Sequence, residues 1–302
     1  MNFYIGLDVG GTNIKAGTIL ENGTIFNNNI NMYPSLSKEN KNTILKNILS
    51  IIEKEFSLYN LNGKLLGIGI AFPGPFDYQN GICKIKGINK YDSIYNVNIK
   101  KELLKYINNS PLKNNIDDNF DILFENDATL FSLGELEQND FLKNDKAIAI
   151  CIGTGTGSTY LENGKVLKSG KGVAENGWIY KIPFKKSIID DYISARGIIN
   201  FYNSLSNNKV DNVKDISLKY NIDENSNITF NNFGKDLANV LNIILKHFNA
   251  KNIILGGQII KSYSLFKDSL LSNINFNPNI LLSKDTSKST LIGAMALFKK
   301  ID

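Results

Sequence analysis

Apolar positions along this chain alternate between strand-like runs and helical spacing. Residues 3–9, FYIGLDV, form a short β-rich run. Gly10-Gly11-Thr12 follows, then NIKAGTIL, Asn22-Gly23 and TIFNNNI. Asn-Gly between two β-like arms is a strong hairpin signal, because both turn residues accept positive φ. The opening therefore reads strand, Gly turn, strand, tight turn, strand. Over 38–58 the residues Ile44, Leu45, Ile48, Leu49, Ile51, Ile52 and Phe56 recur at helical spacing. Leu65–Ala71 reads as a buried strand ending at Pro73-Gly74-Pro75, and 99–107 as a short helix. Residues 108–119, NNSPLKNNIDDN, are polar and breaker-rich, which predicts a domain boundary.

The second half starts, on this reading, with a strand over 121–125 and a helix from about Ala128 to Glu137. A run over 146–151 leads into GTGTGS, the arm TYLENG and VLK. Asn163-Gly164 repeats the tight turn, and LENG occurs at both 20–23 and 161–164. Both halves thus share one plan, which points to internal duplication. Residues 203–231 are rich in Asn, Ser and Lys and predict a helix with long polar loops. A periodic helix over 233–248, the strand KNIIL ending in Gly256-Gly257, a helix over 259–271 and a last helix over 292–299 complete the chain. Strands alternating with helices in each half predict an α/β fold of two domains.

Composition narrows the chemistry. The chain has 302 residues, enough for two domains with their own cores. Its longest apolar stretch, 65–76, holds Gly and Pro and is too short to span a bilayer, and no secretory leader is visible. The expectation is a cytoplasmic, membrane-free protein. Two cysteines, Cys83 and Cys151, fit a reducing compartment. With a single histidine, His247, a Cys/His zinc site and a histidine-based nucleophile system are both disfavoured. Acid–base chemistry would fall to a carboxylate. The net charge of +5 comes from Lys dispersed among Asn and Ile, the pattern of an AT-rich genome rather than of a nucleic-acid surface.

A turn that grips phosphate needs residues without side-chain bulk, so that backbone N–H groups reach the anion. Gly10-Gly11-Thr12 and Gly153-Thr154-Gly155-Thr156-Gly157 offer this, and Gly256-Gly257 would let a flat base lie against backbone. Asp8, at a strand end, suits hydrated Mg²⁺. Each Gly turn alone is also an ordinary hairpin element. There is no Walker lysine, and GTGTGS leads into a hairpin rather than a helix, unlike a dinucleotide fingerprint.

The ordered set of motifs resembles a known family. IGLDVGGTNIKAGTI, ICIGTGTGS and NIILGGQ resemble the two phosphate motifs and the adenosine motif of actin-like sugar kinases. AFPGPFD, FENDATLFSLGE, GVAENGWI and STLIGAMALF narrow the resemblance to the ROK family (repressors, open reading frames, kinases), from residue 3 to about 299. The resemblance implies two actin-like, ribonuclease H-like domains closing on an interdomain cleft. Their expected extents are 1–118, with the C-terminal helix 290–302 returning to it, and 119–289. It further implies ATP with Mg²⁺ as cofactors, a sugar as substrate, and a homodimer.

By the same resemblance, Asp127 in Glu125-Asn126-Asp127 would be the catalytic base. From its position alone, Asn126 or Asp127 would equally serve as a helix cap. Asp8, Gly10, Gly11, Thr12 and Lys15 would serve the nucleotide and its metal, together with Gly153, Thr154, Gly155, Thr156, Gly157, Gly256 and Gly257. Pro73, Gly74, Asn126, Glu175 and Asp190 would contact the sugar, Asp190 standing where the family has the longer Glu. Two departures stand out. The family histidine of E-x-G-H is Trp178, which could stack on the sugar's C–H face. The family zinc motif is replaced by IYKIPFKKSIIDD, so no zinc is expected. Glucose or a glucoside ranks first as substrate, N-acetylmannosamine second and fructose third. A non-catalytic sugar sensor is the competing class. Family repressors carry a helix-turn-helix domain ahead of the first motif, which here begins at residue 5.

Overall fold

The computed structural model describes residues 1–58 and 63–299. The chain forms two compact units, Met1–Gln138 with Ser287–Asp302, and Asn139–Thr286.

In the first unit, β1 (Phe3–Val9), β2 (Asn13–Leu20) and β3 (Asn31–Pro34) form an antiparallel meander. After α1 (Lys41–Leu58), β4 (Leu65–Ala71) lies parallel to β1. The small hairpin β5 (Phe76–Asp77) and β6 (Ile82–Cys83) and helix α2 (Ile99–Asn108) precede β7 (Ile116–Glu125), which lies parallel to β4. The sheet order is β3-β2-β1-β4-β7. β4 is LLGIGIA because a central parallel strand is covered on both faces. Ile44, Leu45, Ile48, Ile51 and Ile52 of α1 are buried among the strand residues Ile5, Leu7, Ile68 and Ile70. Helix α3 (Asp127–Gln138) ends the first stretch of this unit.

The second unit repeats the plan. β8 (Lys146–Ile152), β9 (Thr156–Glu162) and β10 (Lys165–Leu167) form the meander. The hairpin β11 (Pro183–Phe184) and β12 (Ser187–Ile188), then α4 (Ala195–Leu205), α5 (Val213–Leu218) and α6 (Glu224–Phe248), fill the crossover to β13 (Asn252–Gly256). Helix α7 (Tyr263–Asn273) leads to β14 (Asn279–Leu282). The order β10-β9-β8-β13-β14 matches the first sheet strand for strand. Both sheets thus open with a three-strand antiparallel meander; the LENG turn joins β9 to β10 directly, while in the first unit it leads into a short turn before β3.

Several boundaries differ from the sequence reading. The polar segment 108–119 is not a domain boundary: it holds a short turn over 111–115 and the start of β7, which pairs with β4 in the first sheet. The units divide instead between Gln138 and Asn139. The last helix, α8 (Thr286–Ala296), begins earlier than expected and packs within the first unit, with Leu291, Ile292 and Met295 against Ile19 and Ile25. Residues 300–302 of the expected 290–302 helix lie outside the described residues. TIFNNNI is no continuous strand: Asn27 and Asn28 take positive φ, only Ile25 bridges back to Ile19, and the third strand follows at 31–34. The periodic helix over 233–248 is the end of the 25-residue α6. Among the described residues, no helix is long and apolar enough to cross a membrane.

Candidate functional site

Three parallel strands of the first unit end side by side. Asp8 of β1 pairs with Ala71 of β4, which pairs with Glu125 of β7. Asp8, the turn after Phe72 and the pair Asn126-Asp127 are therefore neighbours along one sheet edge. The carboxyl ends of strands are where open α/β sheets collect ligands.

Asn126 caps α3. Its carbonyl accepts from Leu130 N–H at 3.0 Å, and its Oδ1 accepts from Ala128 N–H at 3.0 Å. Asp127 is the first helical residue, and its Oδ1 also accepts from Ala128 N–H, at 2.9 Å. The capping role seen in the sequence is thus real, and Asn126 carries it. The Asp127 side chain stays exposed to solvent. Partial desolvation by surrounding protein still raises its pKa, against backbone and Asn126 hydrogen bonds that lower it. Asp8 is raised as well, first by desolvation, with Lys15 opposing and the Asp127 charge adding. Two carboxylates that sense each other across one edge suit a site for a divalent cation or a proton.

Lys15 stands opposite Asp8 in the β1–β2 register, with Nζ 3.7 Å from Asp8 Oδ2, and donates to Ser287 Oγ at 2.7 Å. The Gly10–Thr12 turn is clamped by groups that the sequence reading missed. Tyr91 OH donates to Gly10 O at 2.7 Å, and Ser37 Oγ donates to Gly11 O at 2.6 Å. Burial pushes the Tyr91 phenol up to about 12, so it remains a donor. Lys90 lies over Gly11, its Nζ 2.8 Å from where a β-carbon would stand. These partners come from 35–37 and 89–91, where no local signal ties them to the glycines. Pro73-Gly74 leaves β4 with Gly74 exposed, and the loop is fixed by Tyr78 OH donating to Phe72 O at 3.1 Å.

In the second unit, Gly153 and Thr154 line a cleft of about 910 Å³. Its other walls include Arg196, Ile199, Asn200, Val213, Gln258 and Ile259. No sequence motif marks Arg196, Ile199, Asn200 or Val213 as wall residues, and Gln258 and Ile259 stand only at the end of the Gly256-Gly257 motif and the start of a helix. They come from α4, α5 and the turn after β13, and only the fold assembles them. The expected loop residues divide by role. Thr156 is buried, its hydroxyl donates to Ile193 O and its N–H donates to Asp190 Oδ1, so it braces the loop from within. Gly157 belongs to β9, paired with Cys151. Gly256 ends β13, and Gly257 takes φ +93° against Ile152, a β-carbon there falling 2.6 Å from the Ile152 carbonyl carbon. That glycine serves close backbone packing, and the Gln258 and Ile259 that follow it reach the cleft.

Glu175 and Trp178 share one turn, with Trp178 N–H donating to Glu175 O at 3.0 Å. Ser158 of β9 pins that turn, donating to Gly177 O at 2.6 Å and accepting from Ile179 N–H at 2.9 Å. Glu175 is exposed and Trp178 half-buried. Asp190, expected on the sugar, has its carboxylate on Thr156 N–H and Arg196. The segment that replaces the zinc motif is tied by charge. Lys185, at the tip of the β11–β12 hairpin, pairs with the buried Asp236 at 2.5 Å and sits 5.1 Å from the Tyr192 ring centre. Among the described residues, no group of three or more His, Cys, Asp or Glu side chains could hold a metal ion.

Comparison with known proteins adds the family. The N-acetyl-D-glucosamine kinase of Haemophilus influenzae is 25% identical over 275 residues, 84% of this chain and 83% of that protein. The glucokinase of Halalkalibacterium halodurans is 30% identical over 188 residues, 60% of this chain and about half (51%) of that protein. A ROK family glucokinase from Streptomyces griseus, solved in complex with glucose and AMPPNP, matches with a TM-score of 0.73 at 19% identity over 98% of both chains. That likeness fixes the fold as α/β with two actin-like domains. The family model described as ROK matches residues 4–301, and the chain belongs to the ROK family.

Proposed function

We infer that the protein is an ATP-dependent kinase that phosphorylates a hydroxyl of a gluco-configured hexose. The observation that carries this reading is the register row Asp8–Ala71–Glu125, which supports a proton acceptor, a metal-facing carboxylate and a substrate loop at one sheet edge. Asp127 takes the proton of the sugar hydroxyl as its oxygen attacks the γ-phosphorus and the bond to the β-phosphate oxygen breaks. A carboxylate with a raised pKa but open to solvent suits that exchange. Asn126, Pro73, Gly74, Glu175 and Trp178 are the sugar-side residues on this reading. Gly10, Gly11, Thr12 and Lys15 in the first unit, and Gly153, Thr154 and Gly155 in the second, serve the phosphates. The 910 Å³ cleft, walled by Ile199, Val213 and Ile259, suits the nucleotide base.

Mg²⁺ fits the residues present. It commonly takes one or two carboxylates and fills its shell with water and phosphate oxygens. Asp8, half-buried and electrostatically coupled to Asp127, would hold it through water. The ion would neutralise charge on the transferring phosphoryl group.

Glucose remains the first substrate, and N-acetyl-D-glucosamine joins it because relatives with that activity match over more of the chain. Coupled ADP-release assays with glucose, N-acetylglucosamine, N-acetylmannosamine, fructose and a β-glucoside test the reading. Turnover is expected with one of the first two sugars and not without sugar. Sugar binding without turnover would favour a sensor instead.

A further inference from the structure

We propose that Asp190 is a positioning residue of the nucleotide site: it fixes the second glycine loop and the chain's single arginine as one unit. The proposal rests on the kinase reading above and moves Asp190 from the sugar to the nucleotide.

Asp190 lies in the turn before α4, and its side chain is 17% exposed. Oδ1 accepts from Thr156 N–H at 2.7 Å, and a β-carbon on Gly155 would stand 3.2 Å from the same oxygen. Oδ2 accepts from Arg196 Nη2 at 2.7 Å, and the Asp190 carbonyl accepts from Ser194 Oγ at 2.6 Å. The glycine loop is stitched from its other side too. Gly153 O accepts from Ala195 N–H at 2.8 Å, and Gly153 N–H donates to Gly155 O at 2.9 Å. One carboxylate therefore bridges the loop that faces the cleft and the first turn of the helix that walls it.

The partner is singular. The 34 basic residues include one arginine, Arg196. In a chain whose other basic side chains are lysines and one histidine, this position carries the planar guanidinium. A guanidinium takes two carboxylates in its own plane, whereas an ammonium is a compact point charge without that fixed fork. Arg196 Nη2 also reaches Asp191 Oδ1 at 3.1 Å. Asp190 and Asp191 both take the Nη2 group, so that end of the guanidinium is already engaged by carboxylates and Arg196 serves to hold the loop rather than to receive a phosphate. Its side chain remains 51% exposed and lines the cleft beside Gly153 and Thr154. Held at its Nη2 end, the guanidinium lines the cleft, where its plane would suit a base or ribose.

Asp190→Asn keeps an acceptor for Thr156 N–H but sets an amide donor against Arg196. Arg196→Lys keeps the charge and loses the fork. Steady-state kinetics with ATP and sugar varied separately, and calorimetric titration with a non-hydrolysable ATP analogue, read the result. Both variants should raise the KM for ATP and weaken the analogue, Asp190→Asn by roughly 10–100-fold, the size of one charge-assisted hydrogen bond. The KM for sugar should stay near the wild-type value. A raised sugar KM with unchanged ATP KM, or no change in either, overturns the proposal. Should Asp190→Asn fail to fold, Arg196→Lys decides alone. Wild-type protein that binds the analogue without sugar-dependent turnover would sink the kinase reading while leaving the analogue titration to judge Asp190.

Discussion

Gly293→Ala sets two effects of opposite sign against each other. Gly293 lies within α8, where Ala is favoured over Gly by about 1 kcal/mol on helix propensity alone. Its backbone, however, meets α3 without a side chain between them. A β-carbon at Gly293 would overlap the Leu130 carbonyl oxygen, lie 2.6 Å from its carbon and 3.0 Å from Gly134 N. Gly134 answers from the facing helix, its own β-carbon position 2.9 Å from Ser289 Cα. Ordinary carbon contacts need about 3.5–4.0 Å, so the helices must part by roughly an ångström. Overpacking of that kind costs about 1–3 kcal/mol, which exceeds the propensity gain over most of its range. The variant should melt below wild type, by about 2–4 °C per net kcal/mol in a chain of this size. Because α3 carries Asp127 at its first turn, turnover should fall in the folded variant while ATP binding holds. Thermal unfolding followed by circular dichroism measures the first effect and ADP release the second. A melting temperature at or above wild type would refute the close helix contact.

Two further outcomes follow from single positions. Gly153→Ala adds a β-carbon where nothing lies within 4 Å, so melting should be unchanged, while its place on the cleft wall should raise the KM for ATP; scanning calorimetry beside kinetics separates the two. For Asp127 the native pKa lies above the ordinary carboxylate value, so the folded state favours its protonated form. The stability this contributes is present at low pH and lost as pH rises from the ordinary value through the raised one. Asp127→Asn should therefore melt at or above wild type at pH 7, and the difference should vanish below about pH 4, where both side chains are neutral; melts across that range give the sign.

What the sequence discloses here follows from how local each signal is. The β9–β10 hairpin was readable because Asn163-Gly164 encodes its turn within a few residues. Asn22-Gly23, by contrast, turns the chain after β2, but the third strand of that sheet pairs only from Asn31 onward. The Gly10–Thr12 and Gly153–Gly157 loops lie at the β1–β2 and β8–β9 turns. Membership of β7 in the first sheet was not readable: its pairing with β4 joins residues some 50 positions apart, and the breakers before it resemble a linker. The cleft wall fails for the same reason, since Arg196, Val213 and Ile259 meet only after α4, α5 and β13 are placed. Asp190 shows a subtler limit. Its position matched a sugar-binding motif, yet a side chain one methylene shorter than Glu settles on the adjacent loop N–H and on Arg196. The Lys185–Asp236 pair was equally hidden, because nothing in IYKIPFKKSIIDD marks which lysine meets a carboxylate from α6.

The most direct test of the account is turnover by Asp127→Asn in the presence of the accepted sugar. Asn126 still caps α3 in that variant, so the fold and sugar binding should persist. The account predicts a fall in kcat of about 10²–10⁴, which corresponds to about 2.7–5.4 kcal/mol of barrier, with sugar affinity by calorimetry unchanged. Near-normal kcat in the folded variant would contradict it and remove Asp127 from the chemistry.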